Sequence, residues 1–127
     1  SERRISDSDI ERALERMKAL NMLSLVCAET LEEGAKFAAM GADFIAIEVP
    51  ELIGGDVSVS SARPELIAEA VSKIGAGKVI VGAGIKTGDD VRKAISLGAA
   101  GVLVSSGIVK AADQIGILRE MCAALKS

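Results

Sequence analysis

Three short stretches of the 127-residue chain carry residues whose type and spacing could do chemistry. In IAIEVPELIGGD, residues 45–56, an apolar run ends in a carboxylate, Glu48, followed by Pro50 and the Gly54–Gly55 pair. Such an acid can stay wet and pair with a nearby Lys or Arg. Alternatively it is a general base at the mouth of a barrel, with the glycines in a loop that closes over a substrate. In VGAGI, 81–85, glycines let the backbone turn tightly and aim N–H groups at an anion. In VSSGIVKAAD, 104–113, Ser105, Ser106 and Gly107 lead into a short helix whose N-terminus favours a phosphate. One such loop is ordinary turn chemistry. Two at consecutive strand ends, about one helix apart, match the phosphate site that parallel barrels build after strands seven and eight. Lys86 and Lys110 stand where they could help hold the anion, against the default of a solvated lysine. Glu51 and Asp56, in the same loop as Glu48, read as solvating acids.

Composition narrows the chemistry further. The chain has no histidine and two cysteines, Cys27 and Cys122, too far apart for a metal-binding or redox pair. A zinc site and a histidine-based triad within the chain are thereby excluded, and no metal or cofactor is expected. The cysteines read as small buried hydrophobes. With 15 Lys and Arg against 18 Asp and Glu, the net charge is −3 and the signs are interspersed. No basic stripe points to nucleic acid or an anionic membrane, which leaves a small molecule or a protein as the partner. No apolar run approaches the roughly 18 residues that span a bilayer. The polar start SERRISDSD is unlike a signal peptide, so a cytoplasmic protein is expected.

The elements that must position these residues alternate in period. Ser8 and Glu11 form a capping-box pattern, after which Ile10, Ala13, Leu14, Met17 and Leu20 share one helical face, predicting a helix over 8–20. MLSLVCA, 22–28, reads as a strand. Thr30 and Glu33 open a helix that ends at Gly41, and DFIAI, 43–47, is the second strand. Pro64 starts a helix ended by Gly75, before the strand KVIV, 78–81. Thr87 and Asp90 open the next helix, Gly98 closes it, and GVLV, 101–104, is the fourth strand. Leu118, Met121, Cys122 and Leu125 are expected to be the buried face of the last helix.

Strands apolar on both faces and separated by helices indicate a parallel sheet covered by helices. GADFIAIE at 41–48 echoes GAAGVLVS at 98–105, two strand–helix units apart, which suggests a repeated unit. A leading helix followed by four parallel βα units is about half of a (β/α)8 barrel, a fold of some 250 residues, so the chain reads as one half-barrel over 1–127. Such a half leaves its outer strands unpaired and its inner face open, so something should cover them.

The order of these motifs resembles the C-terminal half of a triosephosphate isomerase of the archaeal kind, over nearly the whole chain. SERR resembles the residues that follow the family's catalytic histidine. EVPELIGGD resembles its base and closing loop, and VSVSSARPE the far hinge of that loop. VGAGIKTGDDV and GVLVSSGIVKAAD resemble its two phosphate loops. The resemblance implies that Glu48 is the base that moves a proton between adjacent carbons of a triose phosphate, a step of glycolysis and gluconeogenesis. It implies that Ile53 and Gly54 contact and cover the phosphate, and that Gly84, Ser105 and Ser106 donate backbone N–H groups to it. Glu2 would support the family's active-site lysine, and Ser1 would touch the base when the loop is open.

The departures are as informative. The active-site lysine and the electrophilic histidine that precedes Ser1 in the family are absent, and Val49 replaces the proline that usually follows the base, which loosens the hinge. The chain therefore carries a base and a phosphate grip without the groups that polarise the carbonyl, and little activity is expected of it alone. Two alternatives stand beside an isomerase half completed by the missing N-terminal half. One is another phosphate-binding barrel enzyme. The other is an inactive half-barrel that pairs with a second copy of itself and binds phosphate or sulfate.

Overall fold

The computed structural model describes residues 4–48 and 63–126. Within them the order is α1 (Asp7–Ala19), β1 (Leu25–Ala28), α2 (Leu31–Ala39), β2 (Phe44–Ile47), α3 (Pro64–Ile74), β3 (Val79–Val81), α4 (Gly88–Ser96), β4 (Gly101–Val102), α5 (Ser106–Val109) and α6 (Gln114–Ala124). The four strands form one sheet in the order β1-β2-β3-β4, every pair parallel. No described helix is long and apolar enough to cross a membrane.

Alternation along each strand separates two faces. Val26, Ala28, Ile45, Ile47, Val79, Val81, Val102 and Val104 point at the helices and join two packed clusters with Ile10, Leu14, Phe37, Ile67, Ile74, Val91 and Met121. Ile45, Ile47, Val79 and Val81 are wholly buried, each stabilising the fold by about 1.5–3 kcal/mol. The other face carries Leu25, Cys27, Phe44, Ala46, Ile80 and Leu103, the inner face of an open barrel. Leu25 (41% exposed), on the outer strand β1, and Leu103 (37%), directly after β4, are left uncovered.

The repeated unit noted in the sequence has a physical basis. Gly41 and Gly98 both take positive φ, +101° and +96°, just past a helix. The next residue then donates back to the helix, Ala42 N–H to the Phe37 carbonyl and Ala99 N–H to that of Ala94. This closes the helix and feeds a buried alanine into the following strand.

Several boundaries differ from the sequence expectation. The first helix is capped by Ser6, whose hydroxyl accepts from Asp9 N–H, and Ser8 lies inside it. Both Ser6-x-x-Asp9 and Ser8-x-x-Glu11 fit the pattern, and the earlier one prevails because Ser6 is the residue with extended backbone. Ala13 and Leu20 are exposed, since α1 lies on the open flank of the sheet. The first strand begins at Leu25 because Asn21, at φ +53°, turns the chain and leaves Met22 and Leu23 exposed in the connection. Thr30 caps α2, its hydroxyl accepting from Glu33 N–H, and the Glu33 carboxylate also accepts from Glu29 N–H at 3.1 Å. Thr87 and Asp90 form the full reciprocal box, and Glu120 from α6 adds a third acceptor at 2.7 Å from Gly88 N–H.

The last helix departs most. Met121 and Ala124 are buried, with Ile117 packed beside them, while Leu118, Cys122 and Leu125 are exposed. With Ile115 they form a second apolar stripe at 3-4-3 spacing that nothing among the described residues covers. A helix with two apolar stripes does not declare from sequence which one meets its own core.

Below the sheet, at the N-terminal strand ends, the buried Ser24 binds Asp43 three ways. The Asp43 carboxylate accepts from Ser24 N–H and Oγ, both at 2.8 Å, and Asp43 N–H donates to Oγ at 3.0 Å. The Ser24 N–H first, and its hydroxyl second, hold the Asp43 carboxyl below its ordinary range. This contribution to stability is complete above the unfolded-chain value of about 4 and is lost as pH falls through the lower folded-state value. Urea unfolding of wild type and Asp43→Asn should therefore show a gap in midpoint at pH 7 that narrows below about pH 4. A gap constant down to pH 2 would remove this role.

Candidate functional site

The C-terminal ends of all four strands lie on one rim, because each helix returns the chain to start the next parallel strand. Of the residues singled out from sequence, Glu48, Gly84, Ser105 and Ser106 are among those described, and they fall there. Glu48 directly follows β2, Gly84 lies three residues beyond β3, and Ser105 and Ser106 follow the last ladder residues of β4. Ser1, Glu2, Ile53 and Gly54, with Val49, Glu51 and Asp56, lie outside the described residues.

The rim is continuous through contacts, beginning at Glu48. Its N–H donates to the Ala28 carbonyl at 3.0 Å, and Gly82 N–H donates to the Ile47 carbonyl at 3.0 Å, so the ladder holds both residues at the sheet edge. The Glu48 side chain lies across Gly82, and on its other side its carboxylate neighbours the Cys27 thiol. Further along, the Gly107 Cα faces the Ile85 carbonyl and the Lys86 Cα so closely that a side chain at 107 would strike them. The two glycine-bearing turns therefore pack on each other.

Gly84 takes φ +71°, a left-handed backbone that turns the chain away from β3. The Lys86 and Thr87 amides are tied to the Asp90 carboxylate, at 3.1 and 3.0 Å, which fixes the end of that turn. Ser105 caps the four-residue α5 without a side-chain bond, leaving its hydroxyl uncommitted to the helix. Among the described residues, the amides of Gly84, Ser105 and Ser106 donate to no acceptor. Gly84 and Ser106 are half-buried, whereas Ser105 is exposed. Lys110 is also exposed, in keeping with a solvated lysine. Among the described residues no group of three potential ligands could hold a metal.

Cys27 corrects the sequence expectation. It is exposed, as is Cys122, because among the described residues β1 is a free edge and its inner face has no neighbour on that side. An open cavity of about 500 Å³ follows this edge between α1 and β1, lined by Ile5, Leu14, Met17, Leu25 and Cys27 and reaching Glu48. Partial burial of the thiol pushes Cys27 up first, and the neighbouring Glu48 carboxylate pushes it further. Sequence reasoning missed Cys27 as a neighbour of the acid. The available signal was its place one residue before the end of β1, with its side chain on the inner face.

Comparison with known proteins gives the site a context. The sequence profile of triosephosphate isomerases matches residues 1–122. The triosephosphate isomerase of Cenarchaeum symbiosum is 46% identical over 128 residues, covering 98% of this chain and 58% of the relative. That of Methanothermobacter thermautotrophicus is 49% identical over 115 residues, covering 87% of this chain and 50% of the relative. The chain thus spans about half the length of the curated relatives it matches. Among solved structures, a 3-hexulose-6-phosphate synthase aligns at TM-score 0.72 and 20% identity, covering 94% of this chain and 57% of its own. Thiamine phosphate pyrophosphorylase from Pyrococcus furiosus aligns at 0.70 and 22%, covering 92% and 54%. These structural likenesses support the half-barrel fold alone.

The thiol reports on the acid. In a Cys122→Ser background, alkylation of Cys27 should titrate above the ordinary thiol range, and Glu48→Gln should move that titration down by removing the neighbouring charge. Identical alkylation profiles for the two proteins would show that the contact does not form in solution.

Proposed function

This chain belongs to the triosephosphate isomerase family, and on that premise we propose that it is the half that carries the catalytic base and the phosphate grip. Glu48 accepts a proton from one carbon of a bound triose phosphate and returns it to the adjacent carbon, interconverting dihydroxyacetone phosphate and glyceraldehyde 3-phosphate. The Gly84, Ser105 and Ser106 amides hold the phosphate, with Ile53 and Gly54 covering it. Ser1 meets the base in the open state, and Glu2 supports a lysine of the missing half. The observation that carries this reading is the rim itself: Glu48 lies against one anion-cradling turn, and that turn packs on the other.

Moving the proton leaves negative charge on the carbonyl oxygen in the intermediate, and an electrophile must stabilise it. The chain has no histidine, so that group comes from elsewhere. The uncovered edge of β1, the exposed Leu103 beside β4 and the second stripe of α6 are where the other half of the barrel would dock. Activity therefore belongs to the completed barrel, in the cytoplasm, with no cofactor.

A separately produced N-terminal half from an archaeal relative, mixed with this chain, should restore conversion of glyceraldehyde 3-phosphate. Glu48→Gln should lower that activity by about 10²–10⁴-fold. An assembled complex that is inactive, or that is indifferent to Glu48→Gln, contradicts the assignment.

A second reading has an observation in its favour. Leu23 (75% exposed), Met22 and Leu25 on one flank, and Ile115, Leu118 and Leu125 on the other, are large apolar side chains left exposed, and clusters of this kind mark association surfaces. Without its other half the chain is expected to pair with a second copy, giving twice 13.0 kDa in sedimentation equilibrium. A monomeric mass that does not change with concentration would remove this reading.

A further inference from the structure

We infer that Gly82 is a positioning residue for Glu48: its missing side chain leaves the space in which the carboxylate arm lies, and so fixes where that carboxylate can reach. The inference rests on the reading of Glu48 as the base and goes beyond it to what holds the base in place.

A glycine at a strand end has three ordinary reasons to be there: a left-handed backbone, close approach of another backbone, or a neighbour's side chain above it. The first explains Gly84 but not Gly82, which is absent from the glycines with positive φ. The second also fails, since the Gly82 backbone sits in an ordinary ladder bond, its N–H 3.0 Å from the Ile47 carbonyl. The third fits. A Cβ on Gly82 would stand 2.6 Å from Glu48 Cγ, 3.1 Å from Oε1 and 3.4 Å from Cδ, so its three nearest neighbours all belong to one side chain.

The sheet register explains the meeting. Ile47 is paired with Val81, so Glu48 and Gly82 are the next residues on adjacent parallel strands and point to the same inner face. Cys27 of β1 neighbours the same carboxylate on the opposite side. Glu48 is thus bracketed by a thiol on one strand and an empty Cα on the next. A methyl group at 82 cannot coexist with this rotamer. The carboxylate must swing away, and leaving that rotamer takes it from beside Cys27.

The test uses Gly82→Ala in the 127-residue chain with Cys122→Ser. The Cys27 alkylation titration should move down, as the thiol loses its carboxylate neighbour. In a Glu48→Ala background the same substitution should leave the Cys27 titration unmoved and the urea midpoint unchanged, because the atoms it would strike are gone. In the reconstituted isomerase, Gly82→Ala should lower kcat about a hundredfold with KM little changed, as expected of a misplaced base with an intact phosphate grip. A Cys27 titration unaffected by Gly82→Ala, or an equal loss of stability with and without the Glu48 side chain, overturns the inference. So does a raised KM with kcat preserved. If the wild-type complex shows no activity, the assignment of function fails, and the thiol and stability measurements still decide the role of Gly82.

Discussion

The parallel pairing of β2 with β3, Ile45 opposite Val79 and Ile47 opposite Val81, decides where chemistry can occur. It buries four branched side chains against the helices and brings Glu48 and Gly82 out together at the next step. A slip of one residue would exchange the two faces, sending Glu48 into the helix layer and the isoleucines into the barrel interior. The cost of burying an unpaired carboxylate forbids that alternative, so the core and the candidate site enforce the same register.

From that pairing the rest of the rim follows by repetition. Each helix is closed by a device that delivers the next strand in the same direction, Gly41 before β2 and Gly98 before β4. The strand ends therefore gather on one side, where the glycine turns and the acid meet. The opposite side is given to structure, with Ser24 and Asp43 joining the starts of β1 and β2. This division between a stabilising end and a reactive end is the general plan of parallel barrels.

Much of this was legible in the sequence. The order of helices and strands, the acid after β2 and the two turns after β3 and β4 all follow from period, caps and glycines, because these are local signals. What depends on neighbours was not legible. Gly82 and Gly84 look alike in VGAGI, yet one turns the backbone and the other makes room for a side chain from another strand. Leu118 and Met121 are equally apolar, yet only Met121 meets the core, since the other stripe faces the side where the chain ends its own sheet. A cysteine within a strand is usually buried, and at Cys27 an open edge reverses that. Each miss arises where the half-barrel lacks a neighbour or where two strands supply one environment.

The most direct measurement of a shared rim is a titration of the ¹⁵N-labelled chain with inorganic phosphate, followed by amide chemical shifts. If the acid and the two turns open onto one mouth, the shifts will centre on Gly84, Ser105 and Ser106 and extend to Gly82 and Glu48. Shifts confined to the other end of the sheet, around Ser24 and Asp43, or scattered over the exposed lysines with none at the turns, would contradict it.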